Sequence, residues 1–523
     1  MSFKVCITTA GIGSRLAFHT KYLNKSLVSI DNKPTICHIL DQFPEDCEFV
    51  IAIGYKGKLV KDFLSICYPN KKFIFCDVNP YVGEGSGLGK SLLCCQNYLQ
   101  EPFVFSSCDT LVNKKITPPT FNWMGYAPKK ETSNNFRTLV KSSKNKVIEI
   151  QEKGIEKSHQ KNIYIGLAGI FDYIKFWNSM NNGSSKAIIE GEAFGLNAIK
   201  DDGITAIKFK WFDTGTIENL EKTRLAYIKK NGPNILEKEN ESIWFVGKNV
   251  IKFSNDKDFI KNRICRVDQL RGYVPPISNY SENMYMYDYI EGEVLSEVIN
   301  IKLFSDLLSK CKLFWKFTKL NDIQKKDFED SCLKFYKNKT LERIKMFQKK
   351  FNKCDEILII NGEQVPCLSK ILENIDWSNL SNGLPGRFHG DFHFENIIYN
   401  KNKNFIFLDW RQEFSGNIEI GDIYYDLAKL LHGIIINHKI ITDNNFKVEW
   451  KKNTLNYDFH RKQILVECES YFYFWLENNG FDLKKVKIIT ALIFLNISPL
   501  HHYPYCNLLY GLGISMLNKS NDL

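Results

Sequence analysis

Short apolar runs recur through the first third of the chain: "FKVCITTA", "FVIAIGY", "KFIFCDV", "PFVFSSCD" and "IYIGLAGIF", with amphipathic stretches between them. Strands that alternate with helices pair side by side only through crossover connections, so this stretch predicts an α/β domain with a mostly parallel mixed sheet, Rossmann-like in build. The pattern ends near "RLAYIKKNGPNILEKENES", where Gly232-Pro233-Asn234 and a charged run read as a linker. A different grammar follows: the short strands "SIWFVG", "NVIKFS" and "MYMYDYI", then long helical stretches from about Val294 to Leu380. The expected organisation is therefore a first domain over 1–232, a linker over 233–242 and an α+β domain over 243–523. The last divides into a small lobe, about 243–292, and a helical lobe, about 293–523. A length of 523 residues agrees with more than one core.

Charge and cysteine usage narrow the partners. The net charge is +11, but the lysines are scattered and form no dense basic block, so no nucleic-acid partner is expected. Fifteen cysteines without a C-x-x-C pair read as reduced, mostly buried thiols. The start "MSFKVCITTAG" reads as a core strand and not as a signal peptide, and the apolar run "IITALIFLNISPL" is too short to span a bilayer. The expectation is a soluble cytoplasmic protein without a membrane partner, with homo-oligomerisation left open.

In the first half, "TTAGIGSRL" follows the first strand, and Gly11 and Gly13 sit where backbone amides can face a phosphate. Arg15 and Lys25 add positive charge; an ordinary strand–helix turn with surface cations would look the same. Asp109 follows the strand "FVFSS", and Asp213 lies in "WFDTGT", both at strand ends, where ligands bind in open α/β sheets. Two such carboxylates beside a glycine-basic loop suit a magnesium-triphosphate site. "YVGEGSGLGKSLL" looks like a P-loop, but Glu84 stands where the opening glycine belongs.

These motifs resemble those of the nucleotidyltransferases that activate sugar phosphates and phosphocholine, over roughly residues 1–230. The family's G-x-G-x-R turn and following Lys read here Gly11-Ile12-Gly13-Ser14-Arg15 and Lys25, with Asn24 in place of the usual Pro and Cys108 in place of the usual Gly. The resemblance implies that Asp109 and Asp213 hold Mg²⁺, that Arg15 and Lys25 neutralise phosphate charge, that Lys153 meets the acceptor phosphate, and that the second glycine-rich turn, around Gly85, helps hold the nucleotide. An acceptor phosphate would attack the α-phosphorus of an NTP, with pyrophosphate leaving. CTP is favoured by analogy with compact transferases that lack a C-terminal β-helix.

The second half carries "RFHGDFHFENIIYN", with Asp391 and Asn396 in D-x-x-x-x-N spacing, and "FIFLDWR", which puts Asp409 at the end of an apolar strand. Kinase catalytic loops use that spacing: the Asp orients the attacking hydroxyl, and the Asn and the second Asp bind Mg²⁺. This half resembles the aminoglycoside phosphotransferase and choline kinase superfamily, over roughly residues 240–520. The resemblance implies that Lys252 in "NVIKFS" binds ATP and that backbone groups near Tyr287 to Tyr289 hold adenine. It also makes "GDIYYDLAKLLHG" a support for the loop through Asp422 and Asp426. Asp268 is the substitute for the missing glutamate partner of Lys252.

A kinase making X-phosphate and a transferase making NDP-X catalyse consecutive steps, of the kind that feeds capsular and other surface polysaccharide. Arg411 replaces the Glu that choline kinases usually carry after the metal Asp, and this points toward a neutral sugar or polyol, or an anionic acceptor. The alternatives are a choline kinase joined to a phosphocholine cytidylyltransferase, or its amino-alcohol equivalent, and two domains with unrelated substrates.

Overall fold

The computed structural model describes residues 2–128, 135–154, 162–228, 239–402 and 404–521, and the chain divides into two units. The first comprises Met1–Lys257 and Ser278–Tyr289; the second comprises Asp258–Ile277 and Ile290–Leu523.

The first unit is built on a nine-stranded sheet. Strand Lys4–Thr8 pairs in parallel with Glu48–Ile53 on one side and with Phe103–Ser107 on the other, and Lys72–Asp77 extends the parallel half. Asn162–Ile170 then runs antiparallel to Phe103–Ser107, so the sheet is parallel in one half and largely antiparallel in the other. Alternate side chains enter different cores: Val5 and Ile7 belong to one cluster, Cys6 to the other. Both faces are thus buried, which explains why these strands read as continuous apolar runs. Beside the sheet, the short strand Trp211–Asp213 pairs antiparallel with Thr110–Val112, in a register that sets Asp213 opposite Thr110.

The glycine-rich turn opens helix Leu88–Cys95, as expected of it. A side chain on Gly89 would run into the Ala187 carbonyl, so this glycine serves close packing of two helices and not a phosphate. Asn24 is fully buried and shows what replaced the usual proline. Its Nδ2 donates to the carbonyls of Thr9 (2.9 Å) and Tyr55 (2.7 Å), while its Oδ1 accepts from the backbone N–H of Ser26 (2.9 Å). The amide ties two loops to the turn that carries Lys25.

The small sheet expected to open the second domain packs with the first unit. Strands Glu241–Val246, Asn249–Ser254 and Met284–Asp288 pair antiparallel in order. Trp244, fully buried, meets Phe63 edge-on at 5.1 Å and donates its indole N–H to Ser29 Oγ at 3.0 Å; Phe245 N donates to Asn32 O at 2.8 Å. An aromatic side chain with its one polar atom satisfied binds such a sheet strongly to its support. Of the expected linker, 233–238, with Pro233 and Asn234, lies outside the described residues, as does Gly232 just before it.

In the second unit, Glu293–Val294, Ile397–Asn400 and Asn404–Phe407 form a three-stranded sheet, and helices Ile423–Ile435, Leu483–Ile497 and Tyr505–Asn521 pack as a bundle. The expected helical run to Leu380 is interrupted. Leu358–Ile360 and Glu363–Val365 form a hairpin around Asn361-Gly362, both with positive φ, and this hairpin joins Phe446–Lys451 and Thr454–Phe459 in a second sheet. Asn-Gly flanked by β-branched residues is a strong hairpin signal, and it overrides the helical pattern around it.

Candidate active sites

In the first unit, Asp109 sits in the turn between strands Phe103–Ser107 and Thr110–Val112, and the register of the neighbouring ribbon delivers Asp213 beside it. Thr214 clamps the pair, its N–H donating to Asp109 O at 3.0 Å. A methyl group placed on Gly215 would stand 3.1 Å from Asp213 Oδ1, 3.3 Å from Asp109 Oδ2 and 3.6 Å from Arg15 Nη2, so two carboxylates and a guanidinium converge on one small space. Lys25 Nζ lies 3.1 Å from Asp109 Oδ2. Burial alone would raise the pKa of Asp109, but Lys25 and the Ser107 hydroxyl take it down to about 2. Burial, then the charge of Asp109, push Asp213 up to about 6. A second carboxylate forced against the first with too little countercharge is the electrostatic condition that a divalent cation relieves, so the pair fits Mg²⁺.

These residues line a cavity of about 380 Å³ that also takes in Gly11, Ser86, Gly87, Arg137, Lys153, Tyr164, Glu192 and Trp211. Gly13, with φ +71°, shapes the turn next to Lys25 without lining the cavity; Gly85 also lies outside it. Among the described residues, Trp211 Nε1 has no hydrogen-bond partner, and the buried Tyr164 Oη and Glu192 Oε2 have none but each other. Burial raises the pKa of Glu192 despite nearby Arg137, whose guanidinium is paired with Glu152 at 3.0 Å. None of Glu192, Tyr164 and Arg137 stands in a motif; only the fold brings them together.

In the second unit, the turn at His389-Gly390-Asp391 is held from below. Asp426 accepts the N–H groups of His389 and Gly390, each at 2.6 Å, and the indole N–H of Trp315 at 3.0 Å. Asp422 caps the helix Ile423–Ile435 and accepts from Tyr336 Oη at 2.7 Å. Asp426 therefore supports the loop directly, as "GDIYYDLAKLLHG" implied, while Asp422 also holds the backbone N–H of Leu384, upstream of it, at 2.9 Å. His389 Nδ1 accepts from Asp391 N at 3.2 Å, so its proton sits on Nε2, 2.9 Å from Leu408 O. Burial lowers its pKa to about 3 and keeps it neutral.

Asp391 is half exposed and doubly countered: Lys429 Nζ is 2.7 Å from Oδ1, and His393 Nε2 is 3.7 Å from Oδ2. Burial works against its charge, yet Lys429 and His393 hold its pKa well below the usual carboxylate range. Asn396 Nδ2 donates to Asp391 O at 2.9 Å, which leaves the amide oxygen as the atom for a metal. Asp409, with φ +58°, places Oδ1 3.1 Å from Arg263. Chemically, this constellation can orient an alcohol and bind a cation-bound phosphate.

Residues 327–454 match the phosphotransferase enzyme family. The phosphotransferase match thus spans Asp391, Asn396 and Asp409. Over 256 residues the chain is 25% identical to the bifunctional protein GlmU of Methanocaldococcus jannaschii, covering 47% of this chain and 59% of that protein. Over 112 residues it is 25% identical to the UTP–glucose-1-phosphate uridylyltransferase AglF of Haloferax volcanii, covering 21% of this chain and 44% of that one. The chain spans less than two thirds of either relative. Among solved structures, a UDP-glucose pyrophosphorylase complexed with UDP-glucose aligns with a TM-score of 0.38 at 17% identity, over 43% of this chain and 98% of its own. The CTP:phosphocholine cytidylyltransferase of Streptococcus pneumoniae aligns with a TM-score of 0.36 at 18% identity, over 43% and 99%. The first unit resembles nucleotidyltransferases, and the second carries a phosphotransferase family domain.

Three expectations for the phosphotransferase's nucleotide site need adjusting or placing. Asp268 is exposed and paired with Arg271 at 2.7 Å, as its short distance in sequence favours. Tyr289 is half exposed, and its N–H is already donated to Lys248 O at 2.7 Å. Lys252 lies buried on strand Asn249–Ser254, opposite Tyr285 and Ile243. Sequence reading missed Lys429, which a count of three from Asp426 places on the same helix face, and Arg263 and Arg266, which no motif marks. Arg266 is fully buried and donates to the carbonyls of Phe388 and Arg411, joining the two segments of the loop.

Proposed function

We propose that the protein is a bifunctional enzyme that activates a small sugar or polyol. Its second unit phosphorylates an alcohol with ATP. Its first unit condenses the resulting phosphate with an NTP, CTP being the first to test, to give NDP-X and pyrophosphate for surface polysaccharide synthesis.

The observation that carries the transferase half is the convergence of Asp109, Asp213 and Arg15 on one point, with Lys25 paired to Asp109. When bound there, Mg²⁺ would neutralise the triphosphate and leave the α-phosphorus open to attack. Arg15 and Lys25 lie where negative charge moves from the attacking phosphate to the departing pyrophosphate, and they stabilise it without reorganising. No protein nucleophile is required. Asp109 stays ionised throughout, and Asp213 is ionised above about pH 6.

The buried polar groups of the cavity support a hydroxylated acceptor. Glu192 Oε2 accepts hydrogen bonds, Trp211 Nε1 donates them, and Tyr164 Oη does both. A polyol satisfies all three. The quaternary ammonium of choline offers neither a lone pair nor an N–H, so it would leave the Trp211 indole N–H buried and unpaired at about 1–3 kcal/mol. Phosphorus NMR of the protein with Mg²⁺, ATP, CTP and pooled sugars, polyols and amino alcohols tests the scheme. A new diphosphate-diester signal from the sugar or polyol pool is the expected result. A phosphomonoester alone would break the link between the two steps, and a diester from the amino-alcohol pool would replace the polyol.

A further inference from the structure

Cations from several parts of the second unit gather beside Asp391. Helix Asp322–Leu333 passes through a five-residue π turn, Lys334–Asn338, and continues as Lys339–Phe351. Such bulges are uncommon inside helices and cluster at functional sites. This one is pinned on both sides: Tyr336 Oη bonds Asp422, and Phe335 packs on Phe414 at 4.5 Å and edge-on to Tyr425 at 4.9 Å. Lys339 emerges from it with Nζ 4.3 Å from the Phe335 ring centroid.

Arg411 stands over the same ring, its guanidinium carbon 5.0 Å from the centroid. It is fixed at the catalytic turn: its N–H donates to His389 O at 2.8 Å, and its Nε donates to Glu413 O at 2.9 Å. Gly390, with φ +88°, is what lets it approach, since any side chain there would collide with Arg411 Cβ. Arg343 follows Lys339 by one helical turn, and Lys429 reaches in from helix Ile423–Ile435. Against these four cations stands Asp391, already paired with Lys429. Burial, then Arg411, Arg343 and Lys429, lower the pKa of Lys339 to about 7. A cation stacked on a ring is a common structural device, but two like charges sharing one ring repel, and an anion bound between them would relieve that cost.

We propose that Lys339 and Arg411 form an oxyanion subsite for the kinase's acceptor, so that the alcohol it phosphorylates also carries a carboxylate or a phosphate. This rests on the reading of the second unit as a small-alcohol kinase. The anion is held at the Phe335 side while the hydroxyl is presented to Asp391. The hydroxyl oxygen bonds to the γ-phosphorus of ATP as the bond from that phosphorus to the β–γ bridging oxygen breaks. ADP leaves with the electron pair, and the hydroxyl proton passes to Asp391 and on to solvent. With the cavity of the first unit, X becomes a polyhydroxylated acid or a polyol phosphate.

The test is ADP release by the full chain with Mg²⁺ and ATP on matched acceptors: glycerate against glycerol, gluconate against glucitol, glycerol 3-phosphate, and choline. An anionic member is expected to exceed its neutral counterpart in kcat/KM by about tenfold or more, the worth of one charge-assisted hydrogen bond. Preference for glycerol 3-phosphate over the carboxylates identifies phosphate as the anion; the reverse identifies carboxylate. Lys339→Met and Arg411→Gln should each raise the acceptor KM by roughly ten- to hundredfold, leave the ATP KM in place, and erase the preference for acids. Lys339→Arg should restore most of it, which separates lost charge from lost folding. Preference for a neutral acceptor or choline, with turnover still dependent on Asp391, overturns the subsite and leaves the kinase standing. A rise confined to the ATP KM also overturns it, by assigning these cations to the nucleotide. Absence of Asp391-dependent ADP release on every acceptor removes the kinase reading and the subsite together.

Discussion

Lys429 Nζ lies 2.7 Å from Asp391 Oδ1, although the two residues belong to different elements, a polar turn and the middle of an apolar helix. The ion pair fixes the carboxylate and keeps it ionised down to low pH. Such a group is a weak base but a good orienter of an alcohol. Replacing Lys429 by Met should lower phosphoryl transfer by roughly ten- to hundredfold, the loss of one charge-assisted hydrogen bond. It should also move the acidic limb of the kcat/KM profile to higher pH, because Asp391 then gains a proton more readily. An unmoved limb would mean that Lys429 does not set the charge of Asp391.

The two chemistries should separate by mutation. Asp391→Ala is expected to abolish ATP-dependent phosphorylation while pyrophosphate release from NTP and supplied X-phosphate continues. Asp109→Asn should do the opposite. Loss of both activities from either change, with circular dichroism intact, would contradict a two-site enzyme.

Asp213 should be a source of instability in the metal-free protein. The folded state holds its proton more tightly than the unfolded chain does, since its pKa is raised from 3.8 to about 6. Raising the pH from about 4 to about 6 therefore removes stability, up to about 3 kcal/mol if the whole shift is realised. Asp213→Asn should raise the melting temperature at pH 7 without Mg²⁺ and abolish nucleotidyl transfer. A lower melting temperature would show that its bonds to Asn219 and Gly215 N outweigh the charge.

Trp244→Ala should destabilise the first unit by about 3–5 kcal/mol, the usual cost of deleting a large buried aromatic, although Trp244 falls in the segment that sequence assigns to the kinase's small lobe. Hydrogen exchange over residues 57–67, the helix that carries Phe63, would reveal it. Unchanged protection there would return the small sheet to the second domain, as the expected boundary at 233–242 has it.

The motif carriers were legible because their chemistry fixes both residue type and spacing. Asp391, Asn396 and Asp409 stand in one turn and at one strand end, and Arg15, Lys25 and Asp109 follow strands that read plainly as apolar runs. What escaped the sequence depends on geometry that spacing does not encode. Glu192 reaches the cavity from a helix with no motif, and Arg137 from a position 55 residues before it. Lys339 comes near Asp391 from the end of a π turn, which spacing in the sequence does not mark. The small sheet is hard to assign from sequence for a related reason: its strands are ordinary, and Trp244 packs on Phe63 and bonds Ser29, both far from it in the chain.

The division of the chain bears on how it is made. The polypeptide passes from the first unit to the second after Lys257, returns at Ser278, and leaves again after Tyr289. On the ribosome, the first unit therefore cannot close its small sheet until residue 288 has emerged, well past Asp213. A translation pause or premature stop between 257 and 288 would release a chain with all the transferase carboxylates and an unfinished sheet edge, open to pairing with a neighbour.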